Sequence, residues 1–251
     1  MNIMGSKAIP DTAIVLAAGL GQRMRPVTLT TPKSLIKVGG RTMLDQALDR
    51  LQEVGVDRVV VNTHWLRRKV ELHLRTRDTP KIKISPEVRL LETGGGVAKA
   101  LPILGADPFF IVNADSVWRD GTKPALYRLA QGWDRDEMDA LLLLVPMVRP
   151  VGYSGKGDFF MDSLGRLKRR PEREVAPFVF GGVQIVHPRI FDLAPTPPFS
   201  MNVLYDRLIK KDRLYGLVHD AGWYHVGTPH ELKTVEAELL EKEGARARQL
   251  Y

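Results

Sequence analysis

The chain contains no cysteine. That excludes disulfides, thiol nucleophiles and thiolate metal sites. Aromatic residues make up only 7% of its 251 positions, and they are not interleaved with the basic runs as a surface that stacks nucleic-acid bases requires. No run of eighteen apolar residues occurs, so no segment is expected to span a membrane as a helix. The opening residues MNIMGSKAIP lack the apolar stretch of a secretion signal. With the missing cysteines, this predicts a cytoplasmic protein. Internal repeats and low-complexity segments are absent too.

What is present is a balanced globular composition, 44% hydrophobic and 26% charged, with a formal charge of +8. The size and the absence of a linker predict one domain over 1–251. The positive charge suits an acidic ligand without choosing one, since polyphosphates and nucleic acids are both anionic. Many of the cations, including Arg67, Arg68 and Lys69, read as a solvated helix face.

The hydrophobic pattern alternates between two periods. Apolar runs at 14–17, 58–62, 109–113 and 140–145 read as buried strands. A third strand is expected at 81–85. Helical spacing appears at 43–54, 65–74, 95–101 and 124–131, with the glycine run 94–96 as a loop before its helix. Strands alternating with helices predict an α/β protein with a doubly wound, mostly parallel sheet. The region from about 12 to 150 forms one half. From about 151 to 243 the pattern changes to a hairpin at 158–170, a long strand at 178–186, short helices at 188–193 and 203–210, strands at 214–218 and 223–226, and a helix at 229–243. The charged tail after Gly244 is expected to fray.

The stretch Ile14 to Lys37, IVLAAGLGQRMRPVTLTTPKSLIK, organises these halves. Its strand ends in Ala18-Gly19-Leu20-Gly21, where glycines let the backbone turn tightly and bring N–H groups to an anion. Arg23, Arg25 and Lys33 follow, on a loop stiffened by Pro26 and Pro32. A nucleoside triphosphate needs that arrangement, because transfer at phosphorus depends on positioning and charge neutralisation. A Walker-type G-x-x-x-x-G-K-[ST] is absent, and Met24 stands where a G-x-G-x-x-G dinucleotide motif needs its third glycine. Arg25 reads equally as a phosphate contact or as a solvated loop residue. Asp115, in V-N-A-D just past the strand 109–113, is the strongest carboxylate candidate; an N-cap is its plain alternative.

The strings L-A-A-G-x-G-x-R-M-R-P-x-T and P-K-S-L resemble the signature of sugar-nucleotide pyrophosphorylases. Gly155-Lys156-Gly157-Asp158-Phe159, the segment FGGVQIVHP from Phe180 and WYHVGT from Trp223 resemble, more narrowly, the N-acetylmuramate-1-phosphate uridylyltransferases. The resemblance implies a Rossmann-like nucleotidyltransferase with a smaller β-hairpin and helical part for the sugar. It implies UTP and N-acetylmuramate 1-phosphate as substrates, UDP-N-acetylmuramate and pyrophosphate as products, and a place in cell-wall (peptidoglycan) recycling. It assigns Arg23 and Lys33 to phosphate neutralisation and Asp115 to Mg²⁺. The nucleotide would meet Ala17, Ala18, Gly19, Gly21, Glu92, Gly94 and Asn113, and the sugar Asp158 and Gly182.

Two departures from the pattern stand out. The E-K-P triplet of many relatives is missing, and Arg169-Arg170-Pro171 is a loose substitute. The second metal-binding aspartate is replaced by His225, and imidazole suits Mn²⁺ better than Mg²⁺. Two rival readings therefore stay open: a mannose-1-phosphate guanylyltransferase, and a homologue that binds sugar nucleotide without turnover. No nucleic-acid or membrane partner is expected, and the oligomeric state is not legible.

Overall fold

The computed structural model describes residues 8–249, with side chains described to residue 242. The chain opens with β1 (Thr12–Leu16), the small hairpin β2 (Lys37–Val38) and β3 (Arg41–Thr42), then helix α1 (Met43–Glu53). There follow β4 (Arg58–Thr63), α2 (Arg67–Leu74), β5 (Lys81–Pro86), α3 (Glu92–Leu104), β6 (Phe109–Asn113), β7 (Ser116–Trp118) and α4 (Ala125–Gly132). The second half contains β8 (Ala140–Pro146), β9 (Pro150–Val151), β10 (Phe159–Met161), β11 (Leu167–Arg169) and β12 (Phe178–Val186). It closes with α5 (Met201–Ile209), β13 (Leu214–Val218), β14 (Trp223–His225) and α6 (Pro229–Gln249).

Strands β5, β4, β1 and β6 lie side by side and all run parallel. Antiparallel β12 then joins β6 to β8, and β13 runs parallel to β8 beyond it. One continuous sheet thus unites the two halves of the sequence. Alternate residues of each strand serve opposite faces. Ala13 and Val15 pack with Leu44, Val70 and Leu126 from α1, α2 and α4, whereas Ile14 faces Val97 and Leu204 from α3 and α5. Helices on both faces make the doubly wound arrangement that the alternating pattern predicts.

A third apolar cluster fastens the signature loop. Met24 is fully buried with Ile36, Met43, Val117, Tyr224 and Val235. It joins the loop to α6 and to the small sheet β7–β14–β9. Burying one methionine side chain contributes about 1.5–3 kcal/mol, so the residue that breaks the dinucleotide motif anchors the loop.

Several boundaries differ from those expected. Helix α3 starts at Glu92, three residues before the expected start at Gly95, so that all of the glycines 94–96 lie inside it. Each is pressed by a neighbour: a Cβ on Gly95 would meet Pro197 at 2.9 Å, and one on Gly96 would meet Asn62 at 2.7 Å. Close packing therefore explains the run, and the low helix propensity of glycine is overridden. Helix α2 starts at Arg67, because Leu66 adopts a left-handed conformation. The strand Ser116–Trp118 has no counterpart in the sequence reading, being too short to show a period. The backbone after Gly244, where fraying was expected, is helical to Gln249; residues 250–251 and the side chains from 243 onward lie outside the described residues.

Candidate active site

The site sits at the carboxyl ends of the parallel strands, where ligands bind in open α/β sheets. Leu16, the last residue of β1, pairs with Asn62 of β4 on one side and Asn113 of β6 on the other. The signature turn therefore leaves the sheet between two asparagines. Asn62 holds it: the Ala17 amide donates to Asn62 Oδ1 at 2.7 Å. Gly21 is left-handed, and a Cβ there would meet Thr28 Cγ2 at 2.8 Å. Thr28 Oγ1 in turn donates to the Gly21 carbonyl at 2.7 Å. Glycine is required at this turn for both reasons.

A cavity of about 380 Å³ opens beside the turn. Ala17, Ala18, Gly19, Lys33, Glu92, Asn113 and Asp115 all line it. A second cavity of about 500 Å³ adjoins it, sharing Gly19, Lys33 and Asp115 and adding Gly21 and Arg23. The combined cleft is large enough for a nucleotide and a sugar phosphate end to end.

Lys33 Nζ donates to Asp115 Oδ2 at 2.6 Å. Crowding alone would raise the Asp115 pKa, but the Lys33 ammonium and its hydrogen bond overcome that and hold the carboxyl below its ordinary value. Some 41% of the Asp115 side chain still faces the cleft, against 14% for Lys33. The pair thus presents an ionised carboxylate and an ammonium to the same opening. Arg23 is exposed on a single 3-10 turn, with its guanidinium carbon against Gly227. Arg25 is exposed too and lines neither cavity.

His225 stands next to this site because β14 pairs antiparallel with β7, setting it opposite Ser116. Its ring stacks on Trp223 at 5.7 Å and meets Tyr153 edge-on at 5.6 Å. Its Nε2 lies 3.9 Å from Glu231 Oε2. Burial lowers its pKa, against the pull of Glu231 and Asp115, and so favours the neutral ring. Among the described residues no three His, Asp or Glu side chains cluster as a metal site. The donor set is one ionised carboxylate, paired with Lys33 through Oδ2, and a neutral imidazole near it. That fits a hard cation arriving on phosphates and taking few protein ligands, not a resident metal held by the protein alone. Asp220 is no replacement ligand, being paired with Arg128 at 2.9 Å.

Four residues expected in the site, His225 among them, line neither cavity. Gly94 backs onto Phe199, which occupies the space a side chain would need. Asp158 spends its carboxylate on the Phe180 amide at 2.8 Å, bracing the hairpin against β12. Gly182, left-handed and buried, has the Ser116 hydroxyl where a Cβ would go. Arg169 pairs with Asp206 at 2.6 Å, and Arg170 binds the carbonyls of Gly157, Pro171, Glu172 and Glu174; both arginines are committed to the fold.

Residues the sequence reading passed over also line the cleft: Ser34, Asn62, Leu90, Thr93 and Ser200. A signal for Asn62 existed. V-V-V-N closes β4 as F-I-V-N closes β6, and a polar residue ending a buried strand marks the same edge of the sheet.

Comparison with known proteins agrees with this geometry. Residues 13–167 match the MobA-like NTP transferase domain. The chain is 41% identical over 237 residues to an N-acetylmuramate alpha-1-phosphate uridylyltransferase of Caulobacter vibrioides, covering 92% of this chain and 98% of that protein. It is 35% identical to the enzyme of the same name from Neisseria meningitidis, covering 90% and 96%. Among solved structures, a UDP-glucose pyrophosphorylase in complex with UDP-glucose is similar in fold, with a TM-score of 0.76 at 16% identity, covering 92% of this chain and 98% of that one.

Proposed function

The chain belongs to the MobA-like NTP transferase family, and from that premise we propose that it transfers a uridylyl group from UTP to N-acetylmuramate 1-phosphate. The products are UDP-N-acetylmuramate and pyrophosphate. The observation that carries the reading is the Lys33–Asp115 pair, 2.6 Å apart in the lining that two cavities share. The choice of base and sugar is supported by the two uridylyltransferases that resemble this chain over nearly its whole length.

A phosphate oxygen of the sugar 1-phosphate attacks the α-phosphorus in line. The new O–P bond forms as the bond to the β-phosphate oxygen breaks, and that electron pair leaves with pyrophosphate. No protein nucleophile takes part. The turn Ala17–Gly21 orients the triphosphate through backbone groups. Arg23 grips the departing phosphates in two-pronged fashion, and Lys33 neutralises charge at the α-phosphorus. Lys33 has three N–H donors, so it can reach phosphate while keeping Asp115 in range. Asp115 is the residue that would hold Mg²⁺, with His225 near it. When bound, that cation neutralises charge on the phosphate oxygens. In this reading residues 12–150 bind the nucleotide and 151–243 the sugar, with Glu92 and Asn113 on the nucleoside side. Asp158 and Gly182 support the sugar half through the backbone.

Pyrophosphate release from all four NTPs, each crossed with several sugar 1-phosphates, tests this proposal. UTP with N-acetylmuramate 1-phosphate should be fastest. A maximum at GTP with mannose 1-phosphate would favour guanylyl transfer, and tight binding without turnover would make the chain a binding homologue.

A further inference from the structure

Beneath the nucleoside end of the cleft lies a carboxylate that the reaction does not use. Glu87 is 2% exposed, and its carboxylate is bonded by neutral donors. Asn62 Nδ2 donates to its Oε1 at 2.8 Å, and the Leu91 amide donates to its Oε2 at 2.9 Å. Its own carbonyl meets His64 Nδ1 at 3.0 Å. On the other side, Asn62 Oδ1 accepts the Ala17 amide. One buried carboxylate thereby connects the signature turn after β1 to the start of α3. Leu90, Glu92 and Thr93, which line the same cavity as Ala17 and Ala18, flank the Leu91 anchor in sequence.

We propose that Glu87 is a positioning residue for nucleotide binding, holding the two walls of the nucleoside cleft at a fixed separation through Asn62 and Leu91. The proposal goes beyond the uridylyl reading and needs only that the cleft take a nucleotide. The polarity of the chain of bonds requires a carboxylate. Ala17 N–H and Leu91 N–H are both donors. Asn62 supplies one acceptor and one donor, so residue 87 must accept at both oxygens. With Glu87→Gln, the new NH₂ must face either the Leu91 amide or the Asn62 amide group. Turning Asn62 around only moves the donor–donor conflict to Ala17. An amide of the same shape therefore leaves one buried donor unpaired wherever it points. Space excludes other remedies: a Cβ on Gly96 would lie 2.7 Å from Asn62 Nδ2 and 2.9 Å from Glu87 Oε1.

The same bookkeeping identifies a rescue. In Asn62→Asp combined with Glu87→Gln, the aspartate accepts from Ala17 and from the glutamine amide, while the glutamine oxygen accepts from Leu91. Every donor is satisfied again, with the same net charge as in the native pair. Asn62→Asp alone instead brings two carboxylates together.

The test is a four-protein cycle: wild type, each single variant and the double variant. UTP binding is measured by calorimetry at a temperature where the proteins are folded, beside Tm and steady-state kinetics. Each single variant should weaken UTP binding by about tenfold, the scale of one buried hydrogen bond lost, with KM for UTP rising more than kcat falls. The double variant should recover Tm to near wild type and bind UTP more tightly than the worse single variant; because Asn62 lines the cleft, the charge moved to it keeps UTP affinity below that of wild type. If a single variant fails to fold, recovery of fold and UTP affinity in the double variant supports the proposal. Unchanged affinity in folded single variants, with only Tm moving, would reduce Glu87 to a structural residue. A double variant no better than the worse single would overturn the bonding scheme. The nucleotide assignment is read separately from wild type: if it binds GTP in place of UTP, the cycle is run with GTP.

Discussion

Arg23 and Lys33 differ more in surroundings than in charge. Arg23 is exposed on a short turn, and Arg23→Ala should lower kcat roughly 10²-fold, as losing one preorganised electrostatic donor does, with Tm nearly unchanged. Lys33 is paired with Asp115. Lys33→Ala should lower kcat by a similar factor and also raise the Asp115 pKa, because its stabilising ammonium is gone. Wild-type turnover in either variant, by pyrophosphate release, would remove that residue from the mechanism. His225 poses a different question. His225→Asp puts a carboxylate opposite Ser116 and beside Asp115, and should tighten Mn²⁺ and Mg²⁺ binding in the presence of UTP, read by Mn²⁺ paramagnetic resonance with Mg²⁺ competition. An unchanged titration would show that position 225 lies outside the metal shell. At this scale the sequence pointed to charged candidates, Arg23, Lys33 and Asp115, which line the cleft, since phosphate chemistry restricts such groups to few residue types. Asn62 left only its position near a strand end as a signal, and Glu87 was hidden because a hydrogen bond between distant segments leaves no periodicity.

The elements show where pattern suffices and where packing decides. The strands 109–113, 178–186 and 214–218 match their expected limits; in the first, burial on both faces forces a continuous apolar run. Helix α3 does not, because its glycines answer to Phe199, Pro197 and Asn62, which are remote in sequence. Gly182 and Gly40 separate the two demands made on glycine. Both have φ of +78°, yet a Cβ at Gly40 meets open space and one at Gly182 meets Ser116. Gly40→Ala should cost about 1 kcal/mol of backbone strain. Gly182→Ala should cost about 3 kcal/mol or more and also lower kcat, since Ser116 adjoins Asp115. Urea unfolding of both variants checks this contrast; equal losses would mean that the β7–β12 contact yields easily.

For the molecule as a whole, His219 links stability to pH. It is fully buried, and burial holds its pKa below the ordinary 6.5 despite the opposing Gly222 carbonyl. Unfolding restores the higher value, so the unfolded chain binds more protons as pH falls through that range. Its contribution is complete above about pH 6.5 and is lost on acidification, and His219→Gln should flatten that part of the Tm–pH curve. An unchanged acid limb would assign the loss to other groups, such as His187, which burial also lowers. The account as a whole rests on which sugar nucleotide the cleft makes. The most direct measurement is a competition in one vessel: equal UTP, GTP, CTP and ATP with equal N-acetylmuramate 1-phosphate and mannose 1-phosphate, and products resolved by mass spectrometry. UDP-N-acetylmuramate should dominate from the earliest time point. GDP-mannose in its place, or no sugar nucleotide at all, would contradict the proposed uridylyl transfer.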